Sequence, residues 1–270
     1  MAPSEHPWFR THPVHHQNIV WHWNNATDDE IDRGLRWYAD AHNVAKAIAG
    51  GDAHLGAGMI AVYSPQQAWV ANLLLAAQVL RDRVAIGGAG SGVFASTAQK
   101  QAADRLLAGE RYHQILSGPK VLAFAHLIEH GGVQAPDSRH VVIDRHALSV
   151  AHGDALTARQ YGAAPLRAVN RRDGSIHHPH YDYLVELYYV AARAVSERHG
   201  HPVHAYQVQA ATWLARQRLS QTATRARGTT PLDKGREHAR ANAEIAWQRF
   251  RQSHLPQLEE VPGTGYQAAA

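Results

Sequence analysis

Between Thr27 and Gly51 the apolar residues fall at Ile31, Leu35, Tyr38, Ala41, Val44, Ala45 and Ile48, a spacing that lines one face of a helix and no face of a strand. Thr27-Asp28-Asp29-Glu30 opens the run with a capping residue and an acidic first turn, and Gly50-Gly51 closes it. The same reasoning predicts a buried helix over Leu55 to Tyr63 ending at Ser64-Pro65, and further helices over Trp69 to Leu80, Ser96 to Ala108, Lys120 to Glu129, Tyr181 to His199 and His204 to Ser220. A last helix ends near His254, and another lies within Arg139 to His152. The glycines from Gly87 to Gly92 and the Ser117-Gly118-Pro119 turn interrupt the pattern. Strand-like alternation is scarce, so an all-α fold is expected. Residues 1–27, rich in His, Pro, Trp and Asn without a sustained period, are expected to form an irregular N-terminal arm. Residues 28–220 form the helical domain, and residues 221–270 a basic C-terminal helical extension with a disordered tail after Pro256.

With 270 residues, 45% of them hydrophobic, the chain can bury a core without staples. No stretch approaches the roughly 18 to 20 apolar residues that cross a bilayer, and the first residues lack a signal peptide's apolar centre. A cytoplasmic protein with no membrane partner is expected. The absence of cysteine excludes disulfides, thiolate nucleophiles, cysteine-ligated zinc and iron–sulfur clusters, so any metal would need His and carboxylate ligands. A formal charge of +4 permits an anionic partner.

Three segments in order carry a more specific signal: Ile60-Ala61-Val62-Tyr63-Ser64-Pro65-Gln66-Gln67, Leu116-Ser117-Gly118-Pro119-Lys120, and Val142-Ile143-Asp144-Arg145-His146-Ala147. The first resembles the helix-then-Ser-x-Gln element of the helix-hairpin-helix DNA glycosylases, the endonuclease III-like enzymes, and continues through Asn72. The second resembles their glycine hairpin, here with one glycine and two residues shorter, and the third their Val-Asp-x-His segment. A looser kinship, over most of the chain, is with uncharacterised helical proteins of actinobacteria and their phages. The resemblance implies a DNA-binding protein that flips a nucleotide and cleaves its N-glycosidic bond, with no cofactor and no obligatory protein partner. In that reading Asp144 activates the attacking group and stabilises positive charge on the sugar, and Lys120 is an amine nucleophile. Gln66 or Gln67 fills the gap left by the flipped base, Gly118 offers a backbone N–H to a phosphate, and Asn72 and His146 are structural or orienting. Arg145, and Arg216 and Arg218 of the basic stretch that runs to Arg240, contact DNA.

Other readings remain beside these. Asp144 suits the N-cap of a helix from Arg145 to Ala151, Lys120 suits a solvated helix start, and Trp69 suits a core position. The scaffold could bind DNA without chemistry. His177, His178, His180 and Asp182 form the cluster most like a metal site of a His/Asp hydrolase, although adjacent histidines cannot all face one ion and a solvated His-rich loop explains them as well. The glycine loop Gly87 to Gly92 has neither the Lys-Ser/Thr nor the strand–helix frame of a phosphate loop.

Overall fold

The computed structural model describes residues 6–65, 67–93, 95–132, 139–166, 168–169, 176–226 and 228–258. Among them are thirteen helices, so the chain is all-α, and one antiparallel pairing of two-residue strands, β1 (Ala168–Val169) with β2 (Ile176–His177). The described residues divide into two compact units. One comprises those within Met1–Arg36 and Arg139–Arg227, the other those within Trp37–Ser138 and Gly228–Ala270.

In the first unit α1 (Pro7–Thr11) and α2 (His16–Asn24) replace the irregular arm expected at the start of the chain. His6 caps α1 through its ring nitrogen, and Pro7 at the first helical position has no N–H left to satisfy. Trp8, Phe9, Ile19, Val20 and Trp23 go into the core, so the segment is structural rather than a surface arm. Few of its apolar residues repeat over so short a stretch, and that concealed the two helices. Helix α3 (Asp28–Ile48) begins in this unit, with the Thr27 hydroxyl accepting from Glu30 N–H and Glu30 accepting from Thr27 N–H, the reciprocal cap its sequence predicts. Then come α9 (Arg145–His152), α10 (Ala158–Gly162), α11 (Pro179–His199) and α12 (Ala205–Ala226). Helices α2, α9, α11 and α12 pack around a core that includes Ile143, Leu148, Leu184, Tyr188, Val195 and Val208. Close approach is built into Gly34 of α3, where a Cβ would lie 2.5 Å from the Cα of Ala211.

In the second unit α3 continues from Trp37, followed by α4 (Ala53–Tyr63), α5 (Trp69–Asp82), α6 (Thr97–Leu107), α7 (Tyr112–Ile115) and α8 (Pro119–Glu129), with α13 (Pro231–His254) after the chain returns. Helix α4 is buried from Gly56 to Tyr63 and packs against α5, α6 and α8, as its all-round apolar sequence requires. A Cβ on Gly56 would lie 2.1 Å from the carbonyl oxygen of Ala45, so glycine lets α4 approach α3. The second half of the basic C-terminal helix lies on α5 through Trp247 and Phe250, whereas residues 234–242 are exposed. The expected disordered tail lies largely outside the described residues. Among the described residues no helix is long and apolar enough to cross a membrane.

Candidate functional site

The segment before α9 is irregular and buried: Val141 and Ile143 have no exposed surface. Their peptide groups need partners, and side chains supply them. The Tyr181 hydroxyl donates to Val141 O at 2.8 Å and accepts from Ile143 N–H at 3.1 Å. The Tyr188 hydroxyl donates to Ala147 O at 3.0 Å, and the Tyr161 hydroxyl makes a longer contact of 3.4 Å with Ile143 O. These tyrosines of α10 and α11 fix the backbone on both sides of Asp144. Burial, with the Asp144 charge adding, pushes the Tyr161 hydroxyl up to about 12; burial likewise raises Tyr181 and Tyr188, with Asp144 contributing to both.

Asp144 itself is half-buried at the N-cap of α9, and its Oδ1 accepts from Ala147 N–H at 2.8 Å. Its Oδ2 has no hydrogen-bond partner among the described residues. The cap and the free oxygen are therefore properties of one carboxylate. Gly153, in the left-handed conformation at φ 92°, ends the helix. Arg145 is exposed beside Asp144, and the half-buried His146 ring meets Trp213 of α12 edge-on at 6.4 Å.

The two arginines paired in the sequence reading part company here. Arg218 Nε donates to Glu30 Oε1 at 2.8 Å, and its NH2 to Glu30 Oε2 at 3.1 Å and Asn25 O at 2.6 Å, forming an internal ion pair with a buried carboxylate. Arg216 is half-buried, and its Nε is shut off from solvent without a hydrogen-bond partner among the described residues.

Lys120, Gly118, Gln67 and Asn72 belong to the second unit, Asp144, Arg145, His146, Arg216 and Arg218 to the first. Lys120 is half-buried in the first turn of α8, behind Pro119. Leu116 and Gly118 are both extended, so neither supplies the left-handed half of an anion-cradling nest. The preceding helix, α7, is a single turn. One turn beyond Lys120, Phe124 packs with Trp37 at 6.0 Å and Trp69 at 6.2 Å, which gives Trp69 a packing role. Asn72 is buried and donates from Nδ2 to Ile60 O at 3.0 Å, tying α5 to α4. Gln67 N–H donates to Ser64 O at 3.3 Å, and Gln66 lies outside the described residues.

A polar cluster that the sequence did not suggest holds α7 and α8 to α4. His54 Nδ1 donates to Glu129 Oε1 at 2.9 Å, while the Tyr112 hydroxyl donates to Glu129 Oε2 at 2.6 Å. His54 Nε2 accepts Tyr112 N–H at 3.4 Å, serving as a tertiary cap for α7, whose Arg111 makes no capping bond. Burial opposes the Glu129 charge, but the bonds from Tyr112 and His54 outweigh it and hold the carboxyl below its ordinary range. In the His-rich segment, His178 Nδ1 contacts Leu166 O at 3.2 Å, and His180 is buried against His6 and Phe9, each ring centre at 5.4 Å. The side chain of His177 lies outside the described residues, and among those residues no three His, Asp or Glu side chains converge as a metal site.

Fold and site together define an all-α protein with an aspartate fixed at a helix N-terminus, one oxygen capping the helix and the other without a hydrogen-bond partner among the described residues. The chain belongs to a family of unknown function, DUF7178, whose model matches residues 9–221. No curated protein and no solved structure matches it.

Proposed function

We propose that this protein binds DNA, extrudes a nucleotide and cleaves its N-glycosidic bond, with Asp144 as the activating and charge-stabilising carboxylate. The observation that carries the reading is the state of Asp144: a half-buried carboxylate whose backbone is pinned by tyrosine hydroxyls, with Oδ2 left without a partner among the described residues. A group held this way needs no reorganisation to orient water or to offset positive charge developing on a sugar. Arg145, next along the chain, adds a cation suited to the phosphate backbone. Lys120 is tested separately as an amine nucleophile; a reaction without one uses water and stops at base release.

Base release from duplex and single-stranded oligonucleotides carrying uracil, alkylated and oxidised bases tests this. Asp144→Asn is expected to abolish release while leaving DNA affinity within about twofold. Release unchanged in Asp144→Asn, or absent from the wild-type protein with every substrate, would refute catalysis by this site. Borohydride trapping tests Lys120 separately: an adduct lost in Lys120→Ala supports the amine route, and an active enzyme that gives no adduct excludes it.

A further inference from the structure

Most arginines that reach the interior of a protein meet a carboxylate or a carbonyl, because a guanidinium nitrogen withdrawn from water is costly to leave without a partner. Arg218 obeys that rule through Glu30 and Asn25. Arg216 does not: half-buried, with Nε closed to solvent, it makes no hydrogen bond and no ion pair among the described residues. Its surroundings deepen the anomaly. Trp213, one turn before Arg216 on α12, meets His146 of α9, which places this face of α12 against the start of α9, whose first residue is the exposed Arg145, itself without a hydrogen bond or ion pair among the described residues. The Arg216 charge also reaches the buried His22 of α2 and disfavours its protonation, and Asp154 is within electrostatic reach without forming an ion pair. Burial lowers the Arg216 pKa, Asp154 opposes the shift, and Arg145 adds to it by repulsion.

We infer that Arg145 and Arg216 form a receptor for a phosphate group beside Asp144, with the guanidinium of Arg216 held half-buried and free of internal partners so that an anionic oxygen completes its coordination. A phosphate oxygen accepts charge-assisted bonds from both guanidinium groups, relieves their repulsion and supplies the partner that the fold withholds from Arg216. In the proposed DNA reading the group is a backbone phosphodiester next to the nucleotide being processed, and the inference rests on that reading only for this source of the phosphate.

Thermal denaturation of the full chain, in inorganic phosphate against chloride of equal ionic strength, tests the receptor. Wild type is expected to gain several degrees, saturably. Arg216→Met keeps the aliphatic stem and removes the charge; without phosphate it should melt at or above wild type, and the phosphate shift should vanish. Arg145→Gln, at an exposed position where folding is not at risk, should lose most of the shift, and Arg193→Gln, an exposed arginine of α11, should keep it. An unstructured oligonucleotide titrated across salt concentrations gives the second arm, in which each of Arg145→Gln and Arg216→Met should reduce the log–log salt slope by about one. A phosphate shift that disappears in both variants, with no oligonucleotide binding by wild type, upholds the receptor and removes DNA as its ligand. Oligonucleotide binding with an unchanged slope in both variants, and a phosphate shift equal to that in chloride, overturns the receptor while leaving the DNA reading standing.

Discussion

Removing one oxygen atom, in Tyr181→Phe, should destabilise the first unit more than most surface changes to a whole residue. The hydroxyl is the partner of two buried peptide groups, Val141 O and Ile143 N–H, in a segment that is neither helix nor strand. Phenylalanine fits the same space but leaves both groups in a dry interior. Each orphaned group costs about 1–3 kcal/mol, for a total of roughly 2–6 kcal/mol against the 5–15 kcal/mol that holds a typical domain. At about 2–4 °C per kcal/mol for a chain of this size, the melting midpoint should fall by roughly 4–24 °C. Tyr188→Phe is the internal comparison: Ala147 O lies within α9 and the helix's own ladder serves it, so the loss should stay near 1 kcal/mol. Melting followed by near-ultraviolet circular dichroism gives the midpoints, and amide hydrogen exchange at Ile143 reports the freed N–H directly. Two variants that melt within 2 °C of each other, with Ile143 still protected in Tyr181→Phe, would show that the tyrosine does not hold this segment.

Gly56→Ala should cost 3 kcal/mol or more, above the roughly 1–3 kcal/mol of ordinary overpacking, because the obstacle is a backbone carbonyl; Gly235→Ala, in the exposed first half of α13 with nothing within 4 Å, should gain about 0.5–1 kcal/mol, and urea midpoints read both signs. For Glu129 the folded pKa is depressed, so its contribution is present above the ordinary carboxyl value of 4.5 and is lost as pH falls below it; the acid limb of the stability–pH curve should be shallower in Glu129→Gln, and an unchanged limb would dissociate the Tyr112–Glu129–His54 cluster from stability.

Helices were legible wherever an apolar stripe ran for three turns, as in α3, α5, α11 and α12, because burying that stripe decides the structure. The short α1 and α2 escaped because five and nine residues hold too few periods to stand out. Polar roles were far less visible. Arg216 and Arg218 look equivalent as members of one basic stretch, yet two residues on a helix turn about 200°, so one faces Glu30 and the other faces the start of α9. The tyrosines that hold the Asp144 segment come from about 20 to 45 residues downstream, and no linear spacing ties a hydroxyl on α11 to a carbonyl before α9. Burial on an apolar helix face is the signal that could have marked Tyr181 and Tyr188, since a buried hydroxyl needs a partner somewhere.

Capping and catalysis compete as explanations of Asp144 only while the carboxylate is treated as a single point. Its two oxygens separate them: Oδ1 is engaged with Ala147 N–H, and Oδ2 is not engaged among the described residues. Asparagine caps a helix about as well as aspartate, since either side-chain oxygen accepts the same N–H, whereas alanine cannot and costs about 0.5–2 kcal/mol. Asp144→Asn therefore removes the charge while keeping the cap, and Asp144→Ala removes both. A residue that only caps would give a stable asparagine variant indistinguishable from wild type in every other respect. A residue that also works on a sugar would give an asparagine variant as stable as wild type and inert. The difference between the two variants in stability measures the cap, and the difference between wild type and asparagine in base release measures the charge.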